Sequence, residues 1–362
     1  MGYICPNCSE GLPEDTPCPC TTGPDEEDEE VGRPIRGPLT TEIADIRSPV
    51  RQFLGDRFTS GLRELQRRYR QGAPPLAVPA APPAEVNPRT LGTAADWLLR
   101  FLLHPRPSLK QAALGAAWSG PRRAGQSDIA GAPVRGPDVG MLAALGEIAR
   151  SLGQGRDKMA GRGVAAFTGP LRGSDADPDH LARACWVLAL LTEVFRRGPM
   201  VAALGPLGRF QDRRPSTDEL LALAPPAALG QLTAFRQVFE TALLPKLAGR
   251  HGPWALGPTF TGSALIRADA DLIAAGLLLD LKTSAKHSLR IENVLQVLGY
   301  ALLDFDDEYK LAELGIFSAR YADLATWGLS ELLEELAGHQ VSLRATRYEF
   351  RELLLTRQYP PR

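Results

Sequence analysis

Asp271, Asp280 and Lys282 are the residues whose types and spacing most directly suggest chemistry. They lie in the segment "ADADLIAAGLLLDLKTSAK", residues 268–286, where Asp269 and Asp271 precede an apolar run and Asp280 and Lys282 end it. Burying a charge is costly unless it is paired or holds a metal, so a short apolar strand that ends in Asp-Leu-Lys needs a reason. Residues two apart in a strand share a face, so Asp280 and Lys282 project together while Leu279 and Leu281 point the other way. Ala275-Gly276 suits a hairpin turn that would bring Asp271 back beside Asp280. Two carboxylates on adjacent strands form a hard, oxygen-rich pocket suited to Mg2+ or Mn2+. A lysine next to them could orient an attacking water and stabilise charge developing on a phosphate. Gln296 and Tyr300, four apart in the helical pattern "LRIENVLQVLGYALLDF", share one helix face and could donate to the site or to a bound phosphate.

These residues need a frame to position them, and the surrounding pattern predicts one. A mostly helical region extends to about Gly249. It includes a helix starting at Ser48-Pro49 over "VRQFLGDRFTSGLRELQRRYRQ", and patterns at "AADWLLRFLL", "GMLAALGEIARSLG" and "DPDHLARACWVLALLTEVFRR". Leu54, Phe58, Leu62 and Leu65 form an apolar stripe on the first of these. Ser216 and Glu219 make a capping-box signature. From "GPTFTGSALIRADADLIAAGLLLDLKTS" onward, short apolar runs separated by Gly and Asp indicate strands and tight turns. The order there is helix, strand, strand with Asp-x-Lys, helix, strand, helix. "SELLEELAGH" and "RYEFRELLLTRQ" read as closing helices.

The beginning of the chain has a different character. "CPNCSEGLPEDTPCPC" pairs Cys5 and Cys8 with Cys18 and Cys20, and four thiolates across a small loop match the tetrahedral preference of structural Zn2+. The acidic "GPDEEDEEVGRP" that follows reads as a solvated linker. Cys185, alone in "ARACWVLALL", reads as a buried thiol. The expected organisation is a zinc-ribbon-like segment at 1–22, a linker at 23–47, a helical region with proline-rich loops at 48–175 and an α/β domain at 176–362.

Composition sets outer limits. The chain has 362 residues, 44% of them apolar, which suffices for a large core, and 41 basic against 42 acidic residues leave a formal charge of -1. There is no global basic field, so any surface attracting a polyanion must be local. The opening "MGYICPNCSEG" is not a secretory signal and no apolar stretch reaches spanning length, so the expectation is a cytoplasmic protein without a membrane partner. The histidines are scattered, no Gly-x-Ser-x-Gly elbow occurs, and no phosphate-binding Gly-x4-Gly-Lys-Ser/Thr occurs.

Asp271, then Asp280-Leu281-Lys282, then Gln296-x3-Tyr300 on the next helix resembles the PD-(D/E)XK nuclease superfamily, in particular its RecB-like and Cas4-like branch. The resemblance spans roughly residues 257–327. It implies a restriction-endonuclease-like core and hydrolysis of DNA phosphodiesters with Mg2+ or Mn2+. Asp271, Asp280 and the Leu281 backbone carbonyl would be ligands, and Lys282 the catalytic lysine. The family also carries an acidic residue on a preceding helix. No motif fixes it here, and Glu193 is favoured over Glu240 because its helix is the more apolar. Asp269 shares a strand face with Asp271 and is expected behind the ligands or facing solvent. Lys286 and Arg290, with His287 between them, flank the site as candidate phosphate contacts. The family's iron–sulfur members place cysteines after the core, where this chain has none, so the amino-terminal cysteines are expected to bind zinc. DNA is the implied partner, and processive action would require a helicase or other protein partner to supply the motor.

Two competing expectations come with discriminating geometry. An inactive nuclease-fold adaptor, recruiting nucleic acid or a protein through the ribbon, predicts that neither Glu193 nor Glu240 approaches Asp280. A structural ion pair in an unrelated mixed fold predicts that Asp271 and Gln296 lie far from Asp280.

Overall fold

A computed structural model describes residues 37–119, 139–153, 165–210 and 213–356, together with the backbone of short strands at Tyr3–Ile4, Gly11–Leu12, Arg122–Ser127 and Pro133–Arg135. The principal helices are α1 (Leu39–Ala44), α2 (Pro49–Arg57), α3 (Leu62–Gln71), α4 (Pro88–Leu103), α5 (Lys110–Trp118), α6 (Val139–Ser151), α7 (Pro178–Arg197), α8 (Pro226–Val238), α9 (Ile291–Leu303), α10 (Leu329–Ala337) and α11 (Leu343–Thr356). Their starts follow from side chains that satisfy otherwise orphaned N–H groups. Ser48, Asn87 and Asp177 each accept from the first turn, and each is followed by proline, whose missing N–H costs nothing there. The Ser216–Glu219 capping box is present on a short helix.

Six strands form one mixed sheet: β1 (Ala166–Phe167), β2 (Trp254–Leu256), β3 (Leu272–Ala274), β4 (Leu277–Lys282), β5 (Glu313–Ser318) and β6 (Asp323–Gly328), in the order β6-β5-β4-β3-β2-β1. β1 to β4 pair antiparallel, β4 and β5 pair parallel, and β5 and β6 pair antiparallel. The parallel step requires a crossover, which α9 provides. Strand alternation then distributes the core. Leu272, Leu277, Leu279 and Phe317 face the helical side built from α4 to α8, whereas Ile273, Leu278, Leu314 and Ile316 face α1, α2, α3, α9, α10 and α11. The result is an α/β fold whose sheet is covered by helices on both faces, with a helical amino-terminal region packed onto it.

Ala274 pairs with Leu277 across the predicted turn, and Ala275 (φ 49) and Gly276 (φ 84) both take left-handed conformations. That is the backbone of a two-residue hairpin loop, which glycine adopts freely and alanine at a cost of about 1 kcal/mol. Leu277, Leu278 and Leu279 are at most 1% exposed. At about 2 kcal/mol for each buried leucine, they anchor the strand strongly enough to carry the charges at its end.

Three expectations need correction. The helix predicted after Ser48 is two helices, because the chain turns at residues 58–61, where the Gly61 N–H is directed to the Leu336 carbonyl. The predicted stripe nonetheless holds, with Leu54, Phe58, Leu62 and Leu65 all buried. The segment read as linker to residue 47 contains α1, whose Leu39 and Ile43 are 1% exposed and pack in the core with α9. Finally, β1 and β2 were not anticipated; two or three residues are too few to show a period.

Candidate active site

The carboxyl end of β4 opens into a cavity of about 1060 Å3, walled by α1 and α9 on one side and by α4, α5 and α7 on the other. Leu272 pairs with Leu279, so Asp271 and Asp280 stand on the next rung outward. Asp271 Oδ2 accepts the Leu281 N–H at 2.7 Å, which fixes its carboxyl against β4. Asp280 is 2% exposed, and the Lys282 Nζ lies 2.8 Å from its Oδ2. The contact is an ion pair and not a well-aligned hydrogen bond, so Oδ2 accepts no hydrogen bond.

Gln296 joins the strand to the helix. Its Oε1 accepts from Lys282 Nζ at 2.9 Å, and its Nε2 donates to Asp280 Oδ1 at 3.1 Å and to the Tyr300 hydroxyl oxygen at 2.9 Å. The i, i+4 spacing that put Gln296 and Tyr300 on one face of α9 is what allows this chain of contacts. The third reading, an isolated ion pair, required both Asp271 and Gln296 to be distant from Asp280. Gln296 contacts it directly, and the hairpin brings Asp271 alongside.

Carboxylates dominate the electrostatics of the interior. Burial, followed by the charges of Asp96 and Asp280, raises the Asp271 pKa well above the ordinary carboxylate range against the opposing Leu281 N–H and Lys282. Burial and then Asp269, Asp280 and Asp271 raise that of Tyr300, which keeps its phenolic proton. Glu193, 6% exposed near the end of α7, also lines the cavity, with its Oε1 accepting from Thr90 Oγ1 at 2.8 Å. Glu240 is exposed and bound to Arg236 Nε at 2.8 Å; it is not part of the cavity wall.

Other expectations fare differently. Asp269 does not face solvent: it sits in the cavity wall and accepts from Arg196 and from Gln111 Nε2. Burial disfavours its charge, but Arg196 and Arg100 outweigh that and hold its pKa low. Lys286 and Arg290 are exposed and do not line the cavity; the Arg290 guanidinium instead pairs with Glu292 at 3.1 Å. The chain leaves β4 and carries them away from the cavity before α9 returns to it. His287 stacks on Tyr69 with ring centroids 4.3 Å apart and its Nε2 lies 2.9 Å from Asp323 Oδ2, a packed position rather than a phosphate contact. Cys185 is buried as expected, and burial raises its thiol pKa.

The sequence reading missed a second charged pair. Asp96 and Arg100 on α4 are 5% and 4% exposed, with Arg100 Nε and Nη2 donating to Asp96 at 3.0 and 2.6 Å. Both line the cavity. The signal was available: the only two charges in the apolar stretch "TAADWLLRFLL" are four apart, and so face one way into the core.

The donor set suits a divalent cation bound through few protein ligands. Asp280 Oδ2 is a buried oxygen that pairs with the Lys282 ammonium but accepts no hydrogen bond, Asp271 is crowded by like charge, and Mg2+ commonly uses one or two carboxylates and completes its shell with water and substrate oxygens. Among the described residues no three His, Cys, Asp or Glu side chains converge as ligands of one ion. Cys5, Cys8, Cys18 and Cys20, the expected zinc ligands, lie outside the described residues. Among the described residues no helix is long and apolar enough to cross a membrane. No family model, curated protein or solved structure matches the chain.

Proposed function

We propose that this protein is a metal-dependent nuclease that hydrolyses DNA phosphodiester bonds, built on a restriction-endonuclease-like core. The observation that carries the reading is the contact chain Asp280–Lys282–Gln296–Tyr300, with Asp271 on the adjacent rung and Glu193 on the same cavity wall. The element order also supports it: antiparallel β2, β3 and β4, then α9, then β5 parallel to β4. The adaptor alternative predicts that no glutamate approaches Asp280; Glu193 lining the same cavity favours the nuclease reading.

In this reading Asp271, Asp280 and the Leu281 backbone carbonyl would hold Mg2+ or Mn2+, which would supply Lewis-acid stabilisation of the phosphate. Lys282 keeps its ammonium beside Asp280 through the Gln296 amide. From there it can orient water for attack on phosphorus and offset the charge that develops. A P–O bond forms from water, the ester P–O bond breaks, and the leaving oxygen takes up a proton. Tyr300, still protonated, holds Gln296 in place and offers a donor to the cavity. Glu193, held by Thr90, completes the acidic lining. Such a nuclease fits repair or recombination and defence against foreign DNA alike.

The test is cleavage of supercoiled, linear and single-stranded DNA by purified protein with Mg2+ or Mn2+, with EDTA and Lys282→Ala controls. Cutting that requires metal and is lost in Lys282→Ala supports the reading. No cutting of any form, with metal binding demonstrated, sinks it.

A further inference from the structure

The cavity has a charge pattern that the catalytic residues leave unexplained. Its inner cations are committed: Arg100 to Asp96, Arg196 to Asp269 and Lys282 to Asp280. Four more line it at exposed positions: Arg89 in the first turn of α4, Lys110 at the start of α5, Arg197 at the end of α7, and Arg267 in the loop before β3. None of the four side chains makes a hydrogen bond or ion pair among the described residues. They come from four separate elements and surround an interior whose carboxylates would repel a polyanion, so they are not a solvated helix face. Solvated charges of one sign around a cavity repel one another, and an anion spanning them would relieve that repulsion.

An aromatic side chain stands among them. Phe195 lines the cavity two residues beyond Glu193 on α7, and its ring lies 5.5 Å, centroid to centroid, from that of Trp118, which is 41% exposed. Cations that track a phosphate backbone beside an aromatic face on which a base can stack are the two elements of polynucleotide binding. A small phosphate ester would need neither four dispersed cations nor an aromatic wall.

We infer that Arg89, Lys110, Arg197 and Arg267 are the contacts for backbone phosphates on either side of the scissile one, and that Phe195 contacts a base, so that the cavity seats a polynucleotide chain. This rests on the nuclease reading only for the phrase "scissile"; the seat itself is a binding property. It also transfers the phosphate-binding role from Lys286 and Arg290, which the fold carries elsewhere, to α4, α5, α7 and the loop before β3.

The experiment reads binding alone: a labelled single-stranded oligonucleotide titrated with full-length protein in EDTA, from 50 to 200 mM salt. Four phosphate contacts on a single strand predict a slope of log affinity against log salt of about -2.8, or roughly a fiftyfold loss across that range. In Arg89→Ala/Arg267→Ala the slope should fall to about -1.4 and the loss to roughly sevenfold. Phe195→Leu, which keeps the apolar packing, should weaken the oligonucleotide about tenfold and leave inorganic polyphosphate unchanged. An unchanged unfolding midpoint in each variant confirms that the fold is intact. A slope unaltered by the double substitution overturns the inference, as does polyphosphate binding that matches the oligonucleotide in both wild type and Phe195→Leu. The predicted slopes without cleavage would sink the nuclease reading and uphold the seat; cleavage with an unaltered slope would do the reverse.

Discussion

Gly257→Ala tests whether the buried Asp96–Arg100 pair is locked into the frame that holds Asp271. Gly257 has φ +60, and an added Cβ would lie 2.3 Å from Arg100 Nη1 and 2.7 Å from two further guanidinium atoms. The left-handed backbone alone costs alanine about 1–2 kcal/mol. Arg100 cannot simply move aside, because it is 4% exposed and bound at 3.0 and 2.6 Å to a carboxylate that is 5% exposed. Breaking such a pair costs about 3–5 kcal/mol, so the full substitution should cost about 4 kcal/mol or more, a large share of the ~5–15 kcal/mol that holds a domain together. The Gly257 N–H also donates to the Asp271 carbonyl at 2.9 Å, so any shift reaches the strand end that carries the carboxyl. Urea unfolding followed by circular dichroism measures the cost as a change in midpoint at constant slope. In an Asp96→Leu/Arg100→Leu background the same substitution should cost only the backbone share, about 1–2 kcal/mol. An equal cost in the two backgrounds would refute the idea that the guanidinium is fixed against Gly257.

Further expectations follow from the same charges. The raised pKa of Asp271 means that the folded state keeps a proton the unfolded chain has released. Metal-free protein should therefore lose stability as pH rises from about 4 through the raised value. Asp271→Asn can still accept from Leu281 and removes that loss, so unfolding midpoints in EDTA should exceed wild type at neutral pH and converge near pH 4, while metal-dependent cleavage disappears. Away from the cavity, Arg347 binds Asp304 at 3.3 Å and Asp307 at 2.9 Å, and Asp304 is 0% exposed. Arg347→Met should destabilise by about 3 kcal/mol in urea unfolding, because it strands a buried carboxylate.

What the sequence revealed of the site depended on the range over which its signals act. The hairpin, the shared face of Asp280 and Lys282, and the Gln296–Tyr300 pair are set within one strand, one turn or one helical turn. Each therefore leaves a period or a turn signature. The choice of Glu193 over Glu240 rested on the apolar character of a helix, and burial of that helix carries Glu193 to the cavity. Asp96, Arg100, Arg196 and the rim residues Arg89, Lys110 and Arg197 come from helices far away in the chain. Nothing local says that α4 and α7 pack at the end of β4, and no pattern linked "TAADWLLRFLL" to "DLK". Lys286 and Arg290 fail for the opposite reason: proximity in sequence to Lys282 was taken as proximity in space, and the loop into α9 leads away.

The distribution of charge argues against a purely structural role for the cavity. A fold that only needed to neutralise buried acids would match each with a cation or replace both with apolar side chains, which is often as stable or more so. Asp96, Asp269 and Asp280 are matched by Arg100, Arg196 and Lys282, but Asp271 and Glu193 have only neutral donors, a backbone N–H and the Thr90 hydroxyl. The unmatched cations sit outside at the rim, where they cannot relieve this interior excess. Inside, the arrangement complements a small cation; across the mouth, it complements an extended anion. Moving Arg89 or Arg267 inward would neutralise the carboxylates and stabilise the fold while abolishing both complementarities, so their separation is the feature that a binding role explains and a structural role does not.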